Sequence, residues 1–483
     1  MPLSQPPTDS SQTIREHFDQ FAQPLPGLAR AYRRLLAHYY SLLIPVDATV
    51  LEIGCGSGEL LKHIPAKRKV GVDLSIRQIE LARNNVPDAV FIQSDGQSLP
   101  LDETFDYVVI SDTINFVDDV QVLLSRIRTV CTPATRLLIN IPNTLWRPGF
   151  ALADAINLRG AHPHSSWLSH RDVHNLLTLA NWDIIKTQPR ALWPFAAGWF
   201  ERTINRSIAP LLPWLCVTQF IVARPSLSDG DSETPLPADL KSPHETSVTI
   251  VVPARNESGN IEAAITRTPV MGAWTEFIFV EGGSKDDTWE EIQRVQRAYP
   301  DVRIKAIQQT GKGKGNAVRE GYALAEGDIL MILDTDLTMP PEELPKYFHA
   351  LTSGHCEFAN GCRLVYPMDE HAMQFLNMIA NKIFGILFSW LMGQHLKDTL
   401  CGTKVLRRSD YLKLEANRAY FGDFDPFGDF DLIFGADRMN LKIRDIPIRY
   451  RDRTYGSTNI NRWSHGWLLL RMVLFAARKL KFV

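Results

Sequence analysis

The sequence predicts an α/β protein of two domains, each a largely parallel sheet covered by helices. Three observations lead there. Short β-branched apolar runs alternate with longer helical stretches through most of the chain. A segment at 225–246, dominated by Pro, Ser, Asp and Glu, breaks that pattern and holds too little apolar residue to bury. The length of 483 residues exceeds one ordinary core and suits two domains of about 200 to 250 residues each. The expected division is therefore a first domain at 1–224, a flexible linker at 225–246 and a second domain at 247–483.

In the first half, strands are expected at 50–53, 70–73, 90–92, 107–110 and 137–139, with helices such as 75–84 and 120–129 between them. Further runs at 182–185 and 217–222 follow. In the second half, strands are expected at 248–252, 277–280, 302–305 and 329–333. No internal repeat relates the halves.

Composition narrows the function classes. Apolar residues make up 45% and charged residues 22%, as in a folded globular protein. A net charge of −2 gives no bulk attraction for nucleic acid. The six cysteines form no CxxC pair and no His/Cys cluster, so they are expected as reduced, mostly buried thiols of a cytoplasmic protein. Residues 1–11 lack the basic and apolar regions of a signal peptide. The most apolar window, 383–393, has about 11 residues against the ~20 that a spanning helix needs. The tail at 467–483 interleaves apolar residues with Arg471, Arg478, Lys479 and Lys481. It suits either an anionic membrane surface or packing on its own domain.

Behind the first strand runs Glu52-Ile53-Gly54-Cys55-Gly56-Ser57-Gly58. Three glycines let the backbone turn tightly and approach a ligand. The dinucleotide pattern GxGxxG fails, because its third glycine falls at Glu59. The run resembles instead motif I of class I S-adenosylmethionine-dependent methyltransferases, whose Rossmann-like sheet is then expected for the first domain. That resemblance, over roughly 30–224, implies a cofactor held by Glu52, Gly54, Gly56, Gly58, Asp73 at the second strand end and Asp95 at the third. It aligns 105–112 with the fourth strand, whose end faces the methyl group. Asp106 suits a structural role. His162, His164, His170 and His174 include potential general bases, but none is singled out. The apolar insertion at 191–215, with Trp193, Trp199 and Trp214, either covers a lipid-like or sugar acceptor or is ordinary core.

In the second domain, Pro253-Ala254-Arg255-Asn256-Glu257 puts polar groups directly after a buried strand, where α/β sheets bind ligands. Asp334-Thr335-Asp336 ends the apolar run 329–333. Two carboxylates at a strand end can share a divalent cation that neutralises a departing diphosphate. These segments resemble family 2 glycosyltransferases of the GT-A fold, over 246 to about 465. The resemblance implies a UDP- or GDP-sugar donor bound by Pro253, Asn256, Glu257, Glu281, Lys312, Asp334, Arg453 and Ser457, with Mg²⁺ or Mn²⁺ on Asp334 and Asp336. Asp398, in Lys397-Asp398-Thr399-Leu400-Cys401-Gly402-Thr403-Lys404, resembles part of a motif of polyprenyl-phosphate sugar transferases and is the first choice for the base. Asp429 and Asp431 are its rivals. Residues 373–396 occupy the place of membrane-interface helices in related enzymes, or form a buried helix pair.

The expectation is a bifunctional enzyme that transfers methyl groups and, with a metal, transfers sugar with inversion to a polyprenyl-phosphate or glycan. It would sit in the cytoplasm, peripheral to the inner membrane face. The alternative keeps the glycosyltransferase and makes the N-terminal domain a cofactor-binding regulatory or scaffolding module.

Overall fold

The computed structural model describes residues 10–20, 22, 27–155, 167–195, 197–227, 241–366, 375–418, 429–451, 453, 455 and 462–483. Apart from the last two residues, the chain divides into two compact units, Met1–Pro237 and Ala238–Lys481.

The first unit holds strands β1 (Thr49–Ile53), β2 (Arg68–Asp73), β3 (Val90–Gln93), β4 (Phe105–Ser111), β5 (Cys131–Pro142), β6 (Trp182–Arg190) and β7 (Thr218–Pro225). They form one sheet in the order β3-β2-β1-β4-β5-β7-β6. The strands from β3 through β5 are parallel, while β7 runs antiparallel to both β5 and β6. Alternation along the strands builds two cores. Val50, Tyr107, Val109 and Leu138 pack with Leu36, Tyr40 and Ile79 on one face. Leu51, Val108, Ile110 and Leu137 pack with Leu123, Ile127 and Leu177 on the other. Each fully buried aliphatic side chain stabilises the sheet by ~1.5–3 kcal/mol. The order reverses direction at β1 and β4, so their carboxyl ends flank the crevice in which open α/β sheets bind ligands.

The second unit holds β8 (Val248–Ala254), β9 (Thr275–Glu281), β10 (Arg303–Gln308), β11 (Ile329–Ile332), β12 (Phe358–Cys362), β13 (Lys404–Arg407) and β14 (Ile443–Pro447). Their order is β10-β9-β8-β11-β13-β12-β14. The first four strands in this order are parallel, and β13 runs antiparallel to β11 and β12. Here the switch lies between β8 and β11.

Strands β12, β13 and β14 are absent from the sequence expectation. Their apolar signal is interrupted by Asn360-Gly361, Lys404 and Arg444-Asp445. Lys404 is fully buried and its ammonium donates to the Cys401 carbonyl, so a charge sits where periodicity asks for an apolar residue. All six cysteines are free and buried.

Candidate active sites

In the first unit the glycine turn leaves β1 with Gly54, Gly56 and Gly58 at φ 73°, 51° and 73°, a region that L side chains rarely adopt. A methyl at Gly54 would overlap Thr113, whereas Gly56 meets nothing nearer than Gln78 Oε1 at 3.9 Å, leaving its backbone open. Helix Glu59–His63 follows directly. Asp73 pins this turn: Oδ2 accepts from the Gly56 N–H at 2.7 Å and Oδ1 from the Ser75 N–H at 2.9 Å. A carboxylate has about four acceptor positions, so capacity remains for ribose hydroxyls. Asp95 caps the short turn Gly96–Ser98 through the Gln97 N–H at 2.9 Å.

Glu52 is fully buried and its Oε2 has no hydrogen-bond partner. Burial pushes its carboxyl up to about 8, with Arg33 opposing and Asp73 adding to the rise. This orphaned oxygen, the open glycine backbone and the flanking Asp73 fit a cationic nucleoside cofactor such as S-adenosylmethionine.

Beside the turn, the end of β4 carries a network that spacing does not reveal. Asp112, at φ 54°, accepts from Asn140 Nδ2 at 2.6 Å. Tyr40 donates to Asn140 Oδ1 at 2.7 Å, and Arg33 donates to Ser111 Oγ at 3.0 Å. Arg33 and Tyr40 lie on helix Gly27–Ser41, far from β4 and β5 in sequence. Asp106 accepts from the Thr49 N–H and hydroxyl, each at 2.8 Å, tying β1 to β4. His170 and His174 share the Thr187 hydroxyl at 3.1 and 3.2 Å, on the edge strand β6 rather than beside β4. Burial, with His170 adding, lowers His174 to about 4. His162 and His164 lie outside the described residues.

In the second unit the loop after β8 and the end of β11 face each other. Thr335 Oγ1 donates to the Pro253 carbonyl at 2.5 Å. Asn256, at φ 56°, accepts from the Lys285 N–H at 2.8 Å, and its own N–H donates to Ser284 Oγ at 3.0 Å. Glu281 is buried at the end of β9 and accepts from the Ser284 N–H at 2.5 Å. Arg453 forks across two acids, reaching Glu257 Oε1 at 3.0 Å and Asp336 Oδ2 at 2.6 Å. Burial raises the Glu257 carboxyl and Arg453 opposes that rise. The other oxygen of Asp336 accepts from Thr338, and Lys314 Nζ lies 2.6 Å from Asp334 Oδ1. The structure thus brings Lys314, not the exposed Lys312, to the acidic pair. Gly402 closes the pair from behind, since a methyl there would overlap both Asp334 and Lys314.

Among the described residues no three His, Cys, Asp or Glu side chains gather as a ready metal cage. Mg²⁺ typically takes one or two protein carboxylates plus substrate phosphate and water, and Asp334 and Asp336 fit that donor set.

Asp398 departs from the expected role of base. It is fully buried, and it accepts from Arg363 Nε and Nη2 at 2.7 and 2.8 Å, Asn381 Nδ2 at 2.7 Å and the backbone N–H groups of Arg363, Leu400 and Cys401. Burial works to raise its carboxyl, but Arg363 and these donors hold it well below the usual carboxylate range. Such a group is a poor proton acceptor. Asp431 is half-buried; its Oδ2 accepts from Arg418 at 3.0 Å and lies 3.8 Å from Arg319. Asp429 opens helix Asp429–Arg438, and its side chain and Ser457 lie outside the described residues.

Helices Phe375–Met392 and Arg462–Leu480 each bury one face and expose another. Ile379, Ile383 and Ile386 are exposed on the first, Trp467 and Leu474 on the second. Within 373–396 the described chain forms one helix rather than the expected pair. Among the described residues no helix is long and apolar enough to cross a membrane.

Comparison with known proteins finds two family models, each matching a different part of the chain. Residues 26–187 match the model of a methyltransferase domain, and residues 249–414 match that of glycosyl transferase family 2. A dolichol-phosphate mannosyltransferase of Pyrococcus furiosus is 36% identical over 35% of this chain and 49% of its own length. A dolichyl-phosphate beta-glucosyltransferase of Trichomonas vaginalis is 29% identical over 44% of this chain and 66% of its own. The chain spans about half the length of the first of these relatives. A solved magnesium protoporphyrin IX methyltransferase from Synechocystis is 13% identical, covering 45% of this chain and all of that one, with a TM-score of 0.33.

Proposed function

We propose that this chain, which joins a methyltransferase domain to a family 2 glycosyltransferase domain, is a bifunctional transferase. One domain moves a sugar from a UDP- or GDP-sugar to a polyprenyl-phosphate, and the other moves a methyl group to an oxygen or nitrogen acceptor. The observation that carries the first half is the strand-end pair Asp334 and Asp336, gripped by Lys314 and Arg453 where β8 and β11 part.

The loop at 253–257 and the buried Glu281 would receive the nucleoside. Lys314 and Arg453 would exchange their carboxylate partners for diphosphate oxygens, a contact that Arg makes as a fork. Mg²⁺ or Mn²⁺ on Asp334 and Asp336 would neutralise charge growing on the departing nucleoside diphosphate. The acceptor oxygen then attacks the anomeric carbon from the opposite face. A phosphate acceptor is already ionised near neutral pH, so Asp431 would orient rather than deprotonate it. The exposed apolar faces of helices Phe375–Met392 and Arg462–Leu480, with Arg471, Arg478 and Lys479, support a peripheral position on the cytoplasmic membrane face.

In the methyltransferase domain, S-adenosylmethionine supplies an electrophilic methyl group. Glu52 and Asp73 would hold its amino-acid and ribose portions, Glu52 giving up its proton beside the cofactor's positive charge, and Asp95 would face the adenine edge. The Asp112–Asn140–Tyr40 network holds the β4 edge where an acceptor would lie in line.

The test offers UDP- and GDP-sugars with polyprenyl phosphate and Mg²⁺ or Mn²⁺ to wild type and Asp336→Ala. Sugar should pass to lipid in wild type alone; equal turnover removes the metal assignment, and no transfer to lipid shifts the acceptor to a soluble glycan. Labelled S-adenosylmethionine in a cell extract tests the other half, and binding without transfer would make that domain a regulatory module.

A further inference from the structure

The insertion between β6 and β7 is not ordinary core. Trp199, Trp214 and Leu211 are 78%, 64% and 63% exposed, and Leu145, on the segment after β5, is 54% exposed. These side chains stand on a built scaffold. Asn205 holds Trp193 by a reciprocal pair of hydrogen bonds, both 2.8 Å, to its N–H and carbonyl. Asn143 Nδ2 donates to the Trp214 and Cys216 carbonyls at 3.0 and 2.9 Å, and Trp146 Nε1 donates to the Leu215 carbonyl at 2.9 Å. These bonds fasten the insertion to the end of β5, where Pro142 pairs with Thr218 of β7.

The position within the sheet matters. β5 runs parallel to β4 with Asn140 opposite Ser111, so its carboxyl end lies on the edge that bears Asp112 and the glycine turn. The insertion therefore leaves the sheet on the same edge as the crevice between β1 and β4, at its β7 end.

We propose that this surface docks the methyltransferase domain on an anionic lipid bilayer, so that the methyl acceptor is presented from a lipid. The docking stands on the exposed platform alone; the lipid-borne acceptor rests on the methyltransferase reading. Charge argues for a bilayer over a protein partner. Arg202 and Arg206 are exposed in the same segment, Arg206 with its Nε on the Phe482 carbonyl at 3.0 Å, and Arg147 follows Trp146, while the half-buried Glu201 accepts from the Ala197 N–H at 3.3 Å. Indole rings flanked by guanidinium groups suit the headgroup region, where an apolar body meets a polar, negatively charged layer.

The experiment uses the full chain carrying Trp199→Cys, labelled with an environment-sensitive thiol dye; the six native cysteines are buried and shielded. Leu211→Cys is a second reporter, and Ile386→Cys reports separately on the glycosyltransferase domain. Vesicles of phosphatidylglycerol and phosphatidylcholine should shift both platform labels to the blue. Arg202→Glu with Arg206→Glu should weaken that response by about tenfold. Silent platform labels on a chain that nonetheless sediments with vesicles, reported by Ile386, would overturn the proposal while leaving the glycosyltransferase reading intact. A shift produced by raising protein concentration without lipid would overturn it in favour of contact between copies. The dye readout is independent of methyl transfer, so a failed transfer assay and a failed docking assay are distinguishable.

Discussion

Arg453 joins Glu257 to Asp336, donating to the first at 3.0 Å and to the second at 2.6 Å. One guanidinium thus ties the loop after β8 to the acidic strand end of β11. In the function proposed above, the same fork would meet two oxygens of a diphosphate.

Replacing Arg453 by alanine should lower kcat/KM for the sugar donor by roughly 10²-fold, about 2.7 kcal/mol. Arg453→Lys should recover only part of this, since an ammonium is a point charge without the planar fork. Steady-state release of nucleoside diphosphate measures both. Full recovery by lysine would mean that charge alone matters.

Lys314 and Lys312 should separate in the same assay. Lys314→Ala removes the cation 2.6 Å from Asp334 and should cost about tenfold or more in kcat/KM. Lys312→Ala removes an exposed side chain and should cost far less. Gly402→Ala should resemble Lys314→Ala, because its methyl would push the Asp334–Lys314 pair apart. The reverse ranking of the two lysines would restore Lys312 as the donor contact.

Those two lysines show where sequence reading stops. The glycine–lysine loop was legible because glycine flexibility and charge mark it locally. Which lysine turns inward depends on Gly313, at φ 85°, which reverses the chain so that Lys314 opens the helix Lys314–Ala323. The glycine turn of the first domain and the Asp334/Asp336 pair were legible for the same local reason: each directly follows an apolar run that reads as a buried strand. Partners contributed from afar were not. Arg363 and Asn381 lie 35 and 17 residues from Asp398, so no spacing rule reveals that its lone pairs are consumed. Likewise β12–β14 are polar enough in places to hide from periodicity, and only the finished sheet explains their burial.

Asp398→Ala should destabilise the glycosyltransferase unit by about 3–5 kcal/mol, because it leaves the Arg363 guanidinium buried without a counter-ion. Urea unfolding read by hydrogen exchange of β12 and β13 measures this. The sign with pH follows from the depressed carboxyl. Its contribution is complete above the ordinary carboxylate range, declines as pH falls below that range and is gone once pH has fallen through the lowered folded value. Asp398→Asn should therefore show a shallower loss of stability in acid than wild type. Unchanged stability with abolished sugar transfer would instead return Asp398 to the role of base.

Glu52 carries the opposite sign. Its folded carboxyl is raised by burial to about 8 from an ordinary 4.5. The stability associated with the neutral form is complete below the ordinary value and is lost as pH rises toward 8, with a slope of up to ~1.4 kcal/mol per pH unit. Hydrogen exchange of the β1 amides should accordingly speed up between pH 5 and 8 in wild type, beyond the intrinsic chemical rate, and Glu52→Gln should remove that excess. A cationic cofactor beside Glu52 favours the charged carboxylate, so binding at pH 7 should release a proton. Calorimetric titration with S-adenosylmethionine should then give an apparent enthalpy that varies with the ionisation enthalpy of the buffer in wild type and is constant in Glu52→Gln. Buffer-independent heat in both would mean that the orphaned oxygen does not face the cofactor's positive charge.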